Sequence, residues 1–172
     1  NMKYSRNGRF AMGGAALFLL AKYLLIRSLW DADALAVLLL APVLMRWLVI
    51  LMAFRAVYPR PTGTAFNLVG KVSSRLLAGS GAMLLGCLTV AGLGLAALPA
   101  VPTGEGAAIR LALSLGTGVL VALAWTIWLR GVSRRKIGGV TGDVLGCLVE
   151  TGEAAVYLGT ALALAVLRLA GL

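Results

Sequence analysis

Three acidic side chains lie at helical spacing near the C-terminal end of the chain, in the stretch GGVTGDVLGCLVETGE. On a helix that begins at about Thr141, the side chains of Asp143, Glu150 and Glu153 fall on one face, because each residue turns the helix by about 100°. Thr141 is the predicted N-cap, and Asp143 lies in the first turn, where the helix dipole favours an anion. Carboxylates arranged in this way can bind a hard cation such as Mg²⁺. They can also pair with basic residues of neighbouring helices, for which Arg46 is a candidate.

Glycines and basic residues surround the start of this helix. Gly138, Gly139 and Gly142 allow a ligand to approach the backbone closely, and amide groups near a helix N-terminus favour anions. No Gly-Lys-Ser or Gly-Lys-Thr follows, so the stretch is not a Walker A motif. Three cations come immediately before the glycines: Arg134, Arg135 and Lys136. The combination predicts a site for a ligand that carries phosphate.

Two further polar stretches contain candidate binding residues. The stretch YPRPTGTAFNLVGK, residues 58–71, contains the cations Arg60 and Lys71, while Gly63 and Gly70 allow turns. Taken alone, that segment is interpreted equally well as an ordinary connecting loop. The stretch MKYSRNGRF, residues 2–10, lies just before an apolar run, where basic residues commonly serve as topological anchors.

The elements that position these residues are predicted to be membrane-spanning helices. Of the 172 residues, 60% are hydrophobic and 13% are charged, and the mean hydropathy is +0.95. Soluble domains contain about a quarter charged residues, so we expect an integral membrane protein. The predicted fold class is all-α, a polytopic helix bundle that forms a single domain over residues 1–172. Five segments are long enough to cross a bilayer as helices, namely 10–29, 32–54, 76–98, 107–129 and 144–169.

Charged residues alternate in sign between successive connections. The N-terminal tail and the segments 55–75 and 130–143 are basic, whereas the turns near Asp31 and Glu105 are acidic. By the positive-inside rule, the basic segments are predicted to be cytoplasmic. The sequence contains no histidine, which excludes a histidine general base, and two cysteines far apart in sequence do not make a zinc site.

Together these stretches resemble the cobalamin synthases, also called adenosylcobinamide-GDP ribazoletransferases. The stretch GGVTGDVLGCLVETGE, residues 138–153, is similar to the family's GGxTGDxLGxxxExxE. Further similarity, in the same order, covers the family's MKDSRxGxxG, a pair of proline and arginine, and YxRxxGLGxxF. The matching residues in those three places are Ser5, Arg6, Gly8, Pro42, Arg46, Tyr58, Arg60, Gly63 and Phe66.

The sequence also departs from the family's pattern. Tyr4 stands where an aspartate is usual, and Thr64 stands where a second glycine is usual. The family's upstream acidic motif DGLADxxDG, which is expected to supply further metal ligands, has no counterpart in these residues. We therefore expect a native N-terminal portion upstream of Asn1.

The resemblance implies an enzyme that joins adenosylcobinamide-GDP to α-ribazole, or to its 5′-phosphate, and releases GMP. The product would be adenosylcobalamin or its phosphate. The resemblance further implies a bacterial or archaeal cytoplasmic membrane, Mg²⁺ as cofactor and no nucleic-acid partner. For this reaction we expect Asp143, Glu150 and Glu153 as metal ligands, and Asp143, Lys71 and Arg60 as catalytic residues. The expected substrate and phosphate contacts are Ser5, Arg6, Arg46, Gly63, Arg134, Arg135, Lys136, Gly138, Gly139, Thr141 and Gly142.

Two other classes of function remain open at this point. A small transporter or channel could use Glu150 and Glu153 as ion sites, because ionisable groups inside a span are commonly functional. A non-catalytic membrane scaffold is the other alternative. The sequence identifies no general base, and it is compatible with a homo-oligomer or with a partner segment that supplies the acidic motif.

Overall fold

The computed structural model describes residues 7–32, 34–96 and 105–170, which form five helices without any strand. This confirms the predicted all-α class. The helices are α1 (Asn7–Trp30), α2 (Leu35–Ala53), α3 (Ser74–Ala96), α4 (Glu105–Ile137) and α5 (Gly142–Leu169). The helices follow the five predicted segments in order, and four of the five end within a few residues of the prediction.

The C-terminal end of α4 differs from the prediction. The segment 130–143 was predicted as a loop, but α4 continues to Ile137, so Arg134, Arg135 and Lys136 form its last helical turn. No glycine or proline interrupts the run from Val132 to Ile137, and cations are favourable at a helix C-terminus because of the helix dipole. The helix ends at Gly138, whose φ of 79° is a left-handed conformation that glycine adopts readily.

Four of the helices contain segments that are long and apolar enough to cross a membrane. These segments are Ala11–Trp30, Leu35–Ala53, Ala112–Ile137 and Gly142–Leu169, and α3 contributes a shorter apolar segment, Ser74–Val90. Large apolar side chains remain exposed along the helices, among them Leu17 of α1, Met83 of α3 and Leu120 of α4. The chain is therefore a multi-pass membrane protein whose apolar surface faces lipid.

Helix α5 lies at the centre of the bundle, where it packs against α4, α2 and α1. Small residues bring α4 and α5 close together, since a Cβ atom at Gly118 would lie 2.6 Å from Thr160 Oγ1 and one at Gly159 would lie 3.0 Å from Val121 Cγ2. Met45 and Leu48 of α2 and Leu148 of α5 are buried between these helices. Within the described residues, α3 packs against no helix other than α2.

Candidate functional site

The two predicted polar segments between helices dock against each other through their backbones. The first is the α2–α3 loop, residues 54–73, and the second is the α4–α5 turn, residues 138–141. The N–H of Val140 donates to the carbonyl oxygen of Val57 at 2.9 Å. Gly139 packs directly on the same carbonyl, and a Cβ atom there would also lie 3.1 Å from Pro59 Cδ. We call this junction, together with the first turn of α5, the two-loop site.

The C-terminal end of α4 attaches to both segments. The hydroxyl of Ser133, which is buried, donates a hydrogen bond to the carbonyl oxygen of Gly139. One turn earlier, Arg130 Nη2 donates to the carbonyl oxygen of Phe54 at 2.9 Å. Because buried backbone carbonyls require partners, these two side chains fix the α2–α3 loop and the α4–α5 turn against one helix.

The α2–α3 loop is a folded element, not a simple connector. Gly70 has a φ of 76° and donates its N–H to the carbonyl oxygen of Ala53 at 2.9 Å. Gly63 has a φ of 148° and packs on the hydroxyl of Tyr58. Side chains of the loop, including that of Val69, are buried in the core of the bundle. The predicted turn role of Gly63 and Gly70 is confirmed, because both adopt conformations that a side chain would strain.

Charged side chains of opposite sign meet at the junction. Arg60 Nη1 lies 3.8 Å from Asp143 Oδ2, and both side chains are exposed to solvent. Lys71 Nζ donates to Asn67 Oδ1 at 3.2 Å and lies 4.2 Å from the centre of the Phe66 ring. The contact with the ring is a favourable cation–π geometry. The site therefore presents a carboxylate and an arginine together, with a lysine held in a defined orientation on the same loop.

The start of α5 agrees with the prediction in position and differs in one detail. Thr141 is the N-cap residue, with a φ of −113° and a ψ of 170°, but its buried side chain makes no capping hydrogen bond. Gly142 lies against the α2–α3 loop, since a Cβ atom there would lie 2.6 Å from Thr64 Oγ1. Thr64 is therefore part of the contact between the two segments.

The predicted phosphate contacts on α4 are exposed and adjoin the two-loop site. Arg134, Arg135 and Lys136 occupy the last turn of α4, and the N–H of Gly138 donates to the carbonyl oxygen of Arg134 at 3.2 Å. Their side chains face solvent. The chain thus concentrates positive charge immediately before the glycines that contact the α2–α3 loop. Ser5 and Arg6, the predicted contacts in the N-terminal segment, lie outside the described residues.

Glu150 and Glu153 form salt bridges with one lysine of α1. Lys22 Nζ lies 3.0 Å from Glu150 Oε2 and 2.8 Å from Glu153 Oε2. Salt bridges were one of the two predicted uses of these carboxylates, but the suggested partner Arg46 is wrong. Arg46 is exposed on α2, seven residues before the helix ends at Ala53. The missed residue had a visible signal, since Lys22 is a cation with apolar neighbours inside a predicted span.

The three acidic residues of α5 do not converge on one point. Asp143 precedes Glu150 by seven residues, which places it about 10 Å away along the helix axis. Its basic neighbour is Arg60, whereas the other two carboxylates contact Lys22. Within the part of the chain that the structure describes, no three or more His, Cys, Asp or Glu side chains cluster so that they could hold a metal ion. A shared metal site for all three therefore stays a prediction.

Comparison with known proteins agrees with the resemblance. The family model described as cobalamin-5-phosphate synthase matches residues 2–161. The chain is 33% identical over 163 residues to the adenosylcobinamide-GDP ribazoletransferase of Pseudomonas putida (strain GB-1), covering 95% of the chain and 58% of the relative. It is 34% identical over 167 residues to that of Ectopseudomonas mendocina (strain ymp), covering 95% and 59%. The chain thus spans about three-fifths of the length of these curated relatives. No solved structure matches.

Proposed function

Because the chain belongs to the cobalamin-5-phosphate synthase family, we propose that its two-loop site takes part in the transfer of a corrinoid phosphoryl group. The substrates would be adenosylcobinamide-GDP and α-ribazole, or α-ribazole 5′-phosphate, and GMP would leave. The observation that carries the proposal is the junction itself. It brings Asp143 and Arg60 within 3.8 Å beside a glycine-lined turn and the basic end of α4.

The reaction forms a bond between the acceptor oxygen and the phosphorus that carries the cobinamide, and it breaks the bridge to GMP. Transfers of this kind depend mainly on positioning and on neutralising the charge of the phosphate oxygens. Arg60 and Lys71, both exposed on the α2–α3 loop, are suited to that task. The three cations of α4 and the glycines of the α4–α5 turn would hold the remaining phosphate oxygens. The acceptor hydroxyl must also lose a proton, for which the described residues offer no assigned base.

Magnesium fits part of the predicted ligand set. The Asp143 side chain is 87% exposed, so its carboxylate is open to a hard cation. Glu150 and Glu153 would have to release Lys22 before they could bind a metal ion. We therefore propose Asp143 as the ligand that this chain supplies, and bound Mg²⁺ would neutralise the diphosphate. Further acidic ligands are expected from the family motif DGLADxxDG, supplied by a partner segment.

Arg46 is the predicted phosphate contact that lies away from the two-loop site. Arg46 lies about 10 Å along α2 from the start of the α2–α3 loop, so its proposed phosphate contact requires a ligand that extends along α2.

We propose that the two-loop site faces the cytoplasm, because the excess of basic residues lies at this end of the bundle. The membrane would be the cytoplasmic membrane of a bacterium or archaeon.

A transporter that uses Glu150 and Glu153 as ion sites is less well supported, since Lys22 forms salt bridges with both carboxylates.

The test is release of GMP from adenosylcobinamide-GDP and α-ribazole, in the presence of Mg²⁺, by the protein purified together with the partner segment that supplies the acidic motif. Asp143→Asn keeps the size of the side chain and removes its charge, and we expect a loss of about 100-fold or more in kcat. Asp31→Asn is the matched control, because Asp31 is an exposed aspartate just after α1 whose salt-bridge partner is Arg27, in the last turn of α1. Unchanged turnover in Asp143→Asn would contradict the proposed role.

A further inference from the structure

Lys22, Glu150 and Glu153 form a charged cluster at the contact of α1 with α5. The Lys22 and Glu153 side chains are only 16% and 15% exposed, whereas that of Glu150 is 61% exposed. A single ammonium group therefore faces two carboxylates, and its closest contact, at 2.8 Å, is to the better buried one.

The cluster lies far from both ends of the membrane-crossing segments. Lys22 comes eleven residues after Ala11, and Glu153 comes eleven residues after Gly142, the first residues of the two segments. At about 1.5 Å per residue, each group lies about 16 Å along its helix from the start of the segment, inside the stretch that crosses a hydrocarbon core of about 30 Å. Charges at this depth are strongly unfavourable unless they are paired, so each side chain depends on the other for its stability.

Helix α1 has few other means of attachment. Among its described side chains from residue 11 onward, only Leu29 is buried, and α1 packs against α5 and α2 alone. Most of its apolar side chains face lipid, and lipid provides no hydrophobic driving force between helices. Beside the apolar packing of Leu25, Ile26 and Leu29 against the core, the salt bridges thus give α1 a specific polar contact with α5.

From these observations we infer that Glu150 and Glu153 form an ion-pair site for the Lys22 ammonium group, in place of a metal site. This ion-pair site holds α1 in register with α5. Lys22 is a positioning residue that acts through α1. The inference does not require the proposed transfer reaction. It assigns Glu153 as the principal partner and Glu150 as the outer, more replaceable one, because of their difference in burial.

A charge exchange between α1 and α5 tests the ion-pair site without any activity measurement. Lys22→Glu and Glu153→Lys should each lower the midpoint of thermal unfolding in lipid nanodiscs by about 5 °C or more. The double variant restores one cation between two carboxylates. It should recover more than half of the summed loss in unfolding midpoint of the two single variants. A double variant that melts as low as the sum of the single effects would overturn the inference.

Milder variants keep the test decisive if the charge-reversed proteins do not fold. Lys22→Met and Glu153→Gln remove the charges with little change in size, and together they should be no less stable than the worse of the two alone. Additive losses would contradict the inference. Glu150→Gln is the matched comparison for Glu153→Gln, and it should cost less stability.

The dependence of activity on Mg²⁺ distinguishes an ion-pair site at Glu150 and Glu153 from a metal site. If Glu150 and Glu153 hold Lys22, the Mg²⁺ concentration for half-maximal activity should change less than about twofold in Glu150→Gln, whereas Asp143→Asn should raise it or abolish turnover. An increase of about tenfold or more in Glu150→Gln would instead assign that carboxylate to the metal. The unfolding experiment stands even if the protein proves to catalyse a different reaction.

Discussion

The N–H of Val140 donates to the carbonyl oxygen of Val57 at 2.9 Å, although α3 and α4 separate the two residues in the chain. This bond joins the α2–α3 loop to the α4–α5 turn through backbone atoms alone. The side chains that could contact phosphate project from both partners. The relative position of Arg60 and Asp143 therefore depends on the docking of two backbones.

Gly139→Ala should separate the two segments, because the new Cβ atom would overlap the carbonyl oxygen of Val57. We expect a loss of stability of about 2 kcal/mol, within the range for overpacked sites, and faster tryptic cleavage after Arg55, an exposed residue of the α2–α3 loop. Gly131→Ala is the control, since a Cβ atom there has no neighbour within 4 Å, and it should be neutral or slightly stabilising in the helix. Equal melting temperatures and equal proteolysis rates for the two variants would argue against the docked junction.

Ser133→Ala should leave the carbonyl oxygen of Gly139 without its side-chain donor. Loss of a buried hydrogen bond commonly costs about 1 kcal/mol or somewhat more, which corresponds to a few degrees in the unfolding midpoint. Ser28→Ala serves for comparison, because that exposed hydroxyl donates to the Leu25 carbonyl within α1. A smaller effect at Ser133 than at Ser28 would show that the α4–α5 turn is held by other contacts.

Lys71→Met should weaken the binding of pyrophosphate about tenfold, because a charge-assisted hydrogen bond contributes roughly 1.5–3 kcal/mol. Lys71→Arg should retain much of the affinity, since the charge is kept. Arg75→Met removes another exposed cation four residues further along the chain and should have a smaller effect. Isothermal titration at two salt concentrations checks this, and equal losses for Lys71→Met and Arg75→Met would favour a general electrostatic attraction.

The proposed orientation predicts which side of the membrane each connection occupies. In a protein whose exposed cysteines, Cys87 and Cys147, are replaced by alanine, Thr62→Cys should react with a membrane-impermeant maleimide only from the cytoplasmic side. Asp31→Cys should react only from the opposite side. Labelling of Asp31→Cys from the cytoplasm would reverse the proposed orientation.

The helices could be predicted because their signal is local. Apolar runs of about 20 residues require helical structure in lipid whatever their neighbours are, and all five helices occur in the expected places. The end of α4 was missed because basic residues at a membrane border were interpreted as a loop, whereas only Gly138 breaks the helix.

The contacts within the site are less accessible to prediction because they are non-local. The close approach at Gly139 was expected, but its partner was assumed to be a ligand, and the structure places the Val57 carbonyl there. The partner of Glu150 and Glu153 was placed on α2, since nothing in the spacing shows which helix adjoins α5. Pairing between distant segments depends on the packing of the whole bundle.

Helix α4 contains 33 residues and is therefore about 50 Å long, compared with a hydrocarbon core of about 30 Å. Its charged last turns belong outside the hydrocarbon, and Ser133 and Arg130 bond the two-loop site to those turns. On the proposed function, a water-soluble substrate would then reach the two-loop site from bulk solution without first dissolving in the lipid. The length of α4 would thus connect a membrane-embedded bundle to substrate in the aqueous phase.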